Sequence, residues 1–239
     1  MKYRITFILF SMFFVLFTAC KKDNDSKASF SMQPKFEGEN FQFEKKYTNH
    51  LGQTFKFEFF KFYLNDIVLI PESGAEILLS DVELFDLGNL NDLEIDIPDG
   101  EYKAIQFGIG LDSLTNKFDP NSFEAEHPLS YAQNTHWDWA SLYKFMQIEG
   151  RVDTADSDFL QKTFAYHTGF DALYKSITIE KSFTIDKDNS AINLVLNIDK
   201  VFDAVNPVDV FNDNTSHSLT DVARDLHTNM AKSFELSNL

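Results

Sequence analysis

Cysteine is almost missing from this 239-residue chain: Cys20 stands alone. That excludes a disulfide framework and any thiolate-cluster metal site. Basic residues are scarce as well, with 21 Lys and Arg against 37 Asp and Glu and a formal charge of −16. The first nineteen residues carry Lys2 and Arg4 and no acid, so the remainder stands at −18. Nucleic acid is thereby excluded as a partner, because a phosphate backbone would be repelled rather than neutralised. Beyond residue 19 the methionines are only Met32, Met146 and Met230, too scattered for thioether-based copper handling. The chain has no haem-attachment CxxCH, nucleophile elbow, zinc-protease helix or Gly-rich phosphate loop. Acids are so plentiful that a carboxylate pair means nothing without geometry. The sequence therefore reads as a binding protein rather than an enzyme. It also lacks an internal repeat and a Gly/Ser linker, which leaves one folded domain.

What is abundant is phenylalanine: 26 residues, within an aromatic content of 15%. A disordered acidic chain would lack this core-forming material. The N-terminus has a short basic start, an apolar run from Ile5 to Ala19 and small residues before Cys20, the layout of a secretory signal. Leu16-Phe17-Thr18-Ala19-Cys20 resembles a bacterial lipobox, with Phe17 where a smaller aliphatic residue is commoner. Residues 1–19 are accordingly expected to be a lipoprotein signal peptide and Cys20 the lipid attachment site. Residues 20–29 would be a flexible tether and residues 30–239 a single β domain. The tether, Lys21-Lys22-Asp23-Asn24-Asp25-Ser26-Lys27, is similar to the surface-export tags of Bacteroidota lipoproteins. The other reading is a short membrane helix with a buried cysteine, for which the apolar run is short. The expected location is the cell envelope, lipid-anchored to the outer membrane, with the facing side left open.

From Phe30 onward the hydrophobic period is two. Ile177, Ile179, Phe183 and Ile185 alternate with polar residues, and Ile192, Leu194, Leu196 and Ile198 do so again after Asp186-Lys187-Asp188-Asn189-Ser190. This predicts a hairpin, since the intervening run lacks the glycine and terminal glutamate of a calcium loop. Lys103 to Ile109 repeats the pattern. Phe55, Phe57 and Phe59 share one face, whereas Phe60, Phe62 and Leu64 continue on the other. A strand that changes face in mid-run predicts a bulge or a crossing between two sheets. Further strands are expected at Ile67–Ile70, Ile77–Leu79 and Val82–Leu87, with turns at Pro71–Gly74 and Pro98–Gly100. Leu219, Val222, Ala223, Leu226, Met230 and Phe234 recur at helical spacing behind Ser218, with Asp221 in the capping-box position. The expected fold is mainly β: a β-sandwich-like domain with long loops and a C-terminal amphipathic helix.

Residues 108–169 break the alternation and hold both tryptophans and three of the six histidines. A loop-rich stretch carrying the scarce large and titratable residues is where a β scaffold would place a site. In order it contains Gly110-Leu111-Asp112-Ser113, Asp119-Pro120, Trp137-x-Trp139-x-x-x-Tyr143-x-Phe145, Glu149-Gly150 and Phe164-x-x-His167-x-Gly169. This succession resembles the MbnP-like proteins, which include the methanobactin-associated periplasmic protein and surface copper-binding proteins of methanotrophs. The resemblance runs from about Phe30 to the C-terminal helix. It implies a secreted β-rich protein that binds copper through histidines. It also implies that a tryptophan, Trp137 or Trp139, is oxidised to kynurenine by a di-haem peroxidase-type partner. The family block reads roughly G-M-Y-W-x-W-x-S-G-Y; here Thr135 replaces the Met, His136 the Tyr and Leu142 the Gly.

On chemistry, imidazole suits copper, whereas an all-oxygen set suits calcium or magnesium. A histidine-only Cu(I) site needs two rings with any third ligand weak. His127 and His167 form the expected pair, each beside turn residues, with His136 as a third candidate. In an extended segment His136 points away from Trp137. Each has a plainer reading: His127 as a turn residue before Pro128, the tryptophans as core filling, His217 as a residue preceding the helix, and His227 as a surface residue. Two further accounts stand beside copper acquisition or storage. One is a metal-free interaction module on the same scaffold; the other treats the protein mainly as substrate of the di-haem enzyme.

Overall fold

The computed structural model describes residues 25–137, 142–154 and 159–237. The signal, Cys20 and Trp139 lie outside the described residues. In chain order the strands are β1 (Asp25–Phe36), β2 (Glu39–Asn40), β3 (Tyr47–Thr48), β4 (Thr54–Pro71), β5 (Ile77–Asp86), β6 (Leu93–Pro98) and β7 (Gly100–Ile109). After a loop of single 3-10 turns follow β8 (Lys144–Asp153), β9 (Lys162–Gly169), β10 (Lys175–Ile185) and β11 (Ala191–Asn197). The chain then forms α1 (Ile198–Asp203), β12 (Thr215–Ser216), α2 (Asp221–Met230) and β13 (Phe234–Leu236). Among the described residues these strands make two sheets. One runs β13-β11-β1-β2 with β6 also on β1; the other runs β10-β7-β4-β8-β9-β12 with β3 and β5 also on β4. The fold is mainly β and sandwich-like, as the alternation implies.

The long phenylalanine run is the spine of the larger sheet. Its pairing with β8 shifts between Phe57 and Phe59, so a bulge at Glu58 returns the core face to register. Phe55, Phe57, Phe60 and Phe62 are consequently all buried on one side. A second shift, between Asn65 and Val68, places Asp66 at φ +49° on an exposed bend while Asn65 stays buried. The strands expected at 67–70, and at 77–79 with 82–87, are parts of β4 and β5.

The core lies between the sheets. Phe30 of β1 meets Phe85 of β5 at 6.3 Å between ring centroids, and Phe234 of β13 meets Phe107 of β7 at 5.2 Å. Phe202 of α1 closes one end against Phe55 and Phe57 at 5.8 and 5.6 Å. Each ring taken fully from water contributes about 1.5–3 kcal/mol.

Several sequence expectations are corrected. Lys175–Ile185 and Ala191–Asn197 are not a hairpin: β10 pairs with β7 in the larger sheet, and β11 runs parallel to β1 in the smaller. The Asp186 carboxylate accepts from the Asp188 and Asn189 amides at 2.8 and 2.9 Å, and this turn carries the chain from one sheet to the other. Alternation fixes faces but not partners, so it could not separate the two arrangements. Residues 25–29 of the expected tether belong to β1, paired with β6 from Asp25↔Pro98 onward. The helix is capped by Thr220, whose side chain accepts from the Ala223 amide, rather than by Ser218. Phe234 lies in β13 beyond it.

Candidate functional site

A smaller apolar cluster of Tyr63, Leu111, Leu129, Tyr143, Phe145, Leu173 and Ala223 sits under the loops at one end of the larger sheet. It positions the informative segment. The Tyr63 hydroxyl donates to the Pro128 carbonyl at 2.8 Å and bonds Thr135 Oγ1 at 2.6 Å. Tyr143 Oη donates to the Leu129 carbonyl at 2.9 Å. Asn116, buried, accepts from the Tyr143 amide and donates to Asp171. Phe145 packs against Gly110, which sits at φ +89°, where an added Cβ would come within 2.4 Å of the ring. The Gly of the G-x-D-S motif is therefore required for close approach. Asp112 of that motif accepts from the Leu114 and Thr115 amides and from Thr115 Oγ1, and these bonds hold its carboxyl below the usual range against the opposing effect of burial.

Residues 135–137 fold back on the start of β8. The Trp137 amide donates to the Leu142 carbonyl at 2.7 Å, and the Lys144 amide donates to the Thr135 carbonyl at 2.7 Å. Leu142 has φ +69°, the left-handed region that favours glycine, and it occupies the position where the family block carries Gly. Trp137 and His136 face different neighbours, as alternate residues of an extended segment do. His136 packs edge-on against Tyr143 at 4.9 Å. Trp137 faces two imidazoles, His167 and His217, each 6.4 Å away between centroids.

Those two imidazoles lie 5.0 Å apart, nearly perpendicular at 73°. Sheet register explains the pairing. β12 runs parallel to β9 with Thr215↔Ala165 and Ser216↔Tyr166, so the next pair in the same register is His217 beside His167. His167 in turn faces Gln147 of β8, and Glu149, two residues along the same face, reaches its ring. His167 Nε2 is 2.7 Å from Glu149 Oε1. Burial pushes His167 below the ordinary histidine range, with Glu149 opposing and His217 and Lys144 adding to the lowering. We therefore assign a neutral ring whose Nε2–H donates to Glu149, which leaves Nδ1 as the lone-pair nitrogen. Lys144 Nζ stands 5.4 Å over the Trp137 ring and donates to the Asn134 carbonyl at 3.2 Å. Burial lowers its pKa and Glu149 partly restores it. Gly150, the other half of the E-G motif, admits the Lys56 carbonyl and the Phe164 ring, which a Cβ would meet at 2.0 and 2.6 Å.

The expected pair is thus redrawn. His167 is joined by His217, not by His127. The His127 ring stacks on Phe123 at 4.1 Å, and its Nδ1 accepts from the Leu129 amide at 3.0 Å, so that lone pair is already committed. His136 lies against Tyr143, on the other side of its segment from Trp137. In the sequence His217 reads only as a residue preceding the helix, because a two-residue strand leaves no periodic trace. His227, read as a surface residue, is fully buried, with Nε2 2.7 Å from Thr168 Oγ1, and burial pushes its pKa down to about 3.

Among the described residues no group of three or more His, Cys, Asp or Glu side chains is placed to hold a metal ion. Two imidazoles without thiolate or thioether do fit an ion that accepts low coordination, and imidazole suits copper. A carboxylate on one ring nitrogen, as Glu149 is on Nε2 of His167, is the usual outer partner of a histidine that ligates a metal through the other.

No curated protein matches the chain. A search of solved structures finds MbnP from Methylosinus trichosporium, 13% identical, with a TM-score of 0.52 over 83% of this chain and 82% of that one; this is a likeness of fold. The sequence model of MbnP matches residues 25–221, from the start of β1 to the first residue of α2, and on that match the chain belongs to the MbnP family.

Proposed function

We propose that this chain is an envelope protein, lipid-anchored through Cys20, that binds copper between His167 and His217. Its role is acquisition or storage rather than turnover. The observation that carries this reading is the meeting of the two imidazoles at 5.0 Å between centroids beside Trp137, with Glu149 on Nε2 of His167. Membership of the MbnP family supports a copper-related role. Bound copper would supply a soft, redox-active cation. The chain's own residues do the rest: Glu149 orients His167, burial keeps that imidazole neutral, and Trp137 walls one side. Trp137 is also the ring on which a di-haem peroxidase-type partner would act. His127 and His136 have no part in this reading.

The test is metal content and intact mass of residues 21–239 purified from the native host, followed by Cu(I) titration against a competing chelator. Near-stoichiometric copper is expected. Uptake should be lost in the His167→Ala, His217→Ala double variant and kept in His127→Ala. A gain of one oxygen with loss of one carbon at Trp137 would mark kynurenine. A copper-free protein of unmodified mass that takes up no Cu(I) would overturn the reading in favour of a metal-free interaction module.

A further inference from the structure

A cavity that shares no residue with the histidine pair opens where the Asp66 bend of β4, the Asp81 stretch of β5 and the loop after β7 converge. It encloses about 620 Å³, within the range of small-molecule sites. One wall is apolar and partly uncovered: Leu114 and Phe118 are 75% and 52% exposed. Phe118 meets Phe123 edge-on at 6.1 Å, and Phe123 stacks flat on His127. The lining also carries the carboxylates of Asp66, Asp81 and Asp112. This arrangement is built, not incidental. Asn65, buried beneath, donates to the Asp81 carbonyl at 2.6 Å and accepts from the Asp112 amide at 3.1 Å. One side chain thus ties β5 and the loop after β7 to the Asp66 bend.

The charge of these carboxylates is not neutralised by a basic side chain of the lining. The lining contains no Lys or Arg, and among the described residues none of the three carboxylates makes an ion pair. Asp112 spends its oxygens on its own turn. Among the described residues Asp66 has no such compensation: burial raises its pKa and the neighbouring Asp112 and Asp81 raise it further. Two of these three carboxylates, Asp66 and Asp112, add to burial in raising Tyr174. A cation seated among them would relieve the repulsion, and the aromatic wall fits a flat apolar body attached to it.

We propose that this cavity binds a small organic cation, a protonated amine carried on a flat apolar body, with Asp66 as principal counter-charge and the Leu114, Phe118 and Phe123 wall as apolar contact.

The test uses three probes that share one ring system but differ in charge: tryptamine, indole and indole-3-acetate. Each is titrated into the full soluble chain at low ionic strength and followed by calorimetry and amide chemical shifts. Tryptamine should bind once, with shifts centred on residues 112–129, and weaken as salt is added. Indole and indole-3-acetate should bind at least about tenfold more weakly. Asp66→Asn should weaken tryptamine about tenfold, because it removes the charge while asparagine tolerates positive φ. Asp81→Asn, at a carboxylate with no hydrogen bond or ion pair among the described residues, gives a second reading if the first variant is poorly folded. Leu114→Ser, at an exposed position, should weaken tryptamine and leave methylammonium unchanged. The proposal fails if tryptamine does not saturate, if indole-3-acetate binds equally well, or if both aspartate variants match the wild type. It fails too if calcium binds at the same residues and excludes tryptamine, which would make this an inorganic cation site.

Discussion

Between the sheets, Phe30, Phe57 and Phe62 are surrounded by other rings and by aliphatic side chains. At the loop end Tyr63 and Tyr143 are equally buried, but each carries a hydroxyl to the backbone of a loop. Burial pushes both tyrosines up, Tyr143 to about 12. The first region gains its stability from area removed from water, which is insensitive to direction. The second gains less area and depends on hydrogen bonds whose loss leaves a buried acceptor unmet. The sheets therefore supply the fold's stability, while the tyrosine cluster fixes where Thr135, His136 and Trp137 stand.

The largest contrast should come from Phe57→Ala. Deleting a fully buried ring costs about 3–5 kcal/mol, and the denaturant midpoint should fall without a change in local exchange at the loop end. Acid should act next, through His227. Its folded pKa of about 3 lies below the ordinary 6.5. Above pH 6.5 the ring is neutral in both states; below it only the unfolded chain takes up the proton. Stability is then lost at up to about 1.4 kcal/mol per pH unit until the folded ring also titrates. His167, also lowered, acts in the same sense, whereas the raised carboxyls of Asp66 and Glu83 oppose it near the bottom of the window. Stability measured from pH 7 to pH 4 should fall more steeply in the wild type than in His227→Gln. Tyr143→Phe should cost about 1–3 kcal/mol, with hydrogen exchange accelerating across residues 116–133 before the sheets respond. Smallest of all, Lys56→Ala removes a surface pairing with Glu44 and should change stability by no more than about 0.5 kcal/mol.

The same division governs what the sequence made legible. Period-two alternation marked β7, β10 and β11, and the face change between Phe59 and Phe60 announced the bulge at Glu58, because side-chain direction is a local property of a strand. Pairing is not local. The supposed hairpin of β10 and β11 proved to span two sheets, and the strands on either side of α2 were missed because each is two or three residues long. At the site, His167 and Trp137 were legible as scarce residues in an aperiodic stretch. His217 was not, since its partner lies fifty residues away across a parallel pairing that no spacing rule encodes.

That pairing gives the two histidines unequal footing. His167 stands within a strand bonded to β8 along most of its length, whereas His217 follows two paired residues, and its segment is held by the Asn214 carbonyl and side chain and by Ser216 against Thr220. Short pairings belong to the low end of the local-opening scale. A ligand shared by the two rings would select the docked arrangement from that equilibrium, and its observed affinity would be the intrinsic value scaled by the docked fraction. Segment 212–220 would then work as a clasp: strengthening the β9–β12 pairing far from either imidazole would tighten binding without touching a ligand atom.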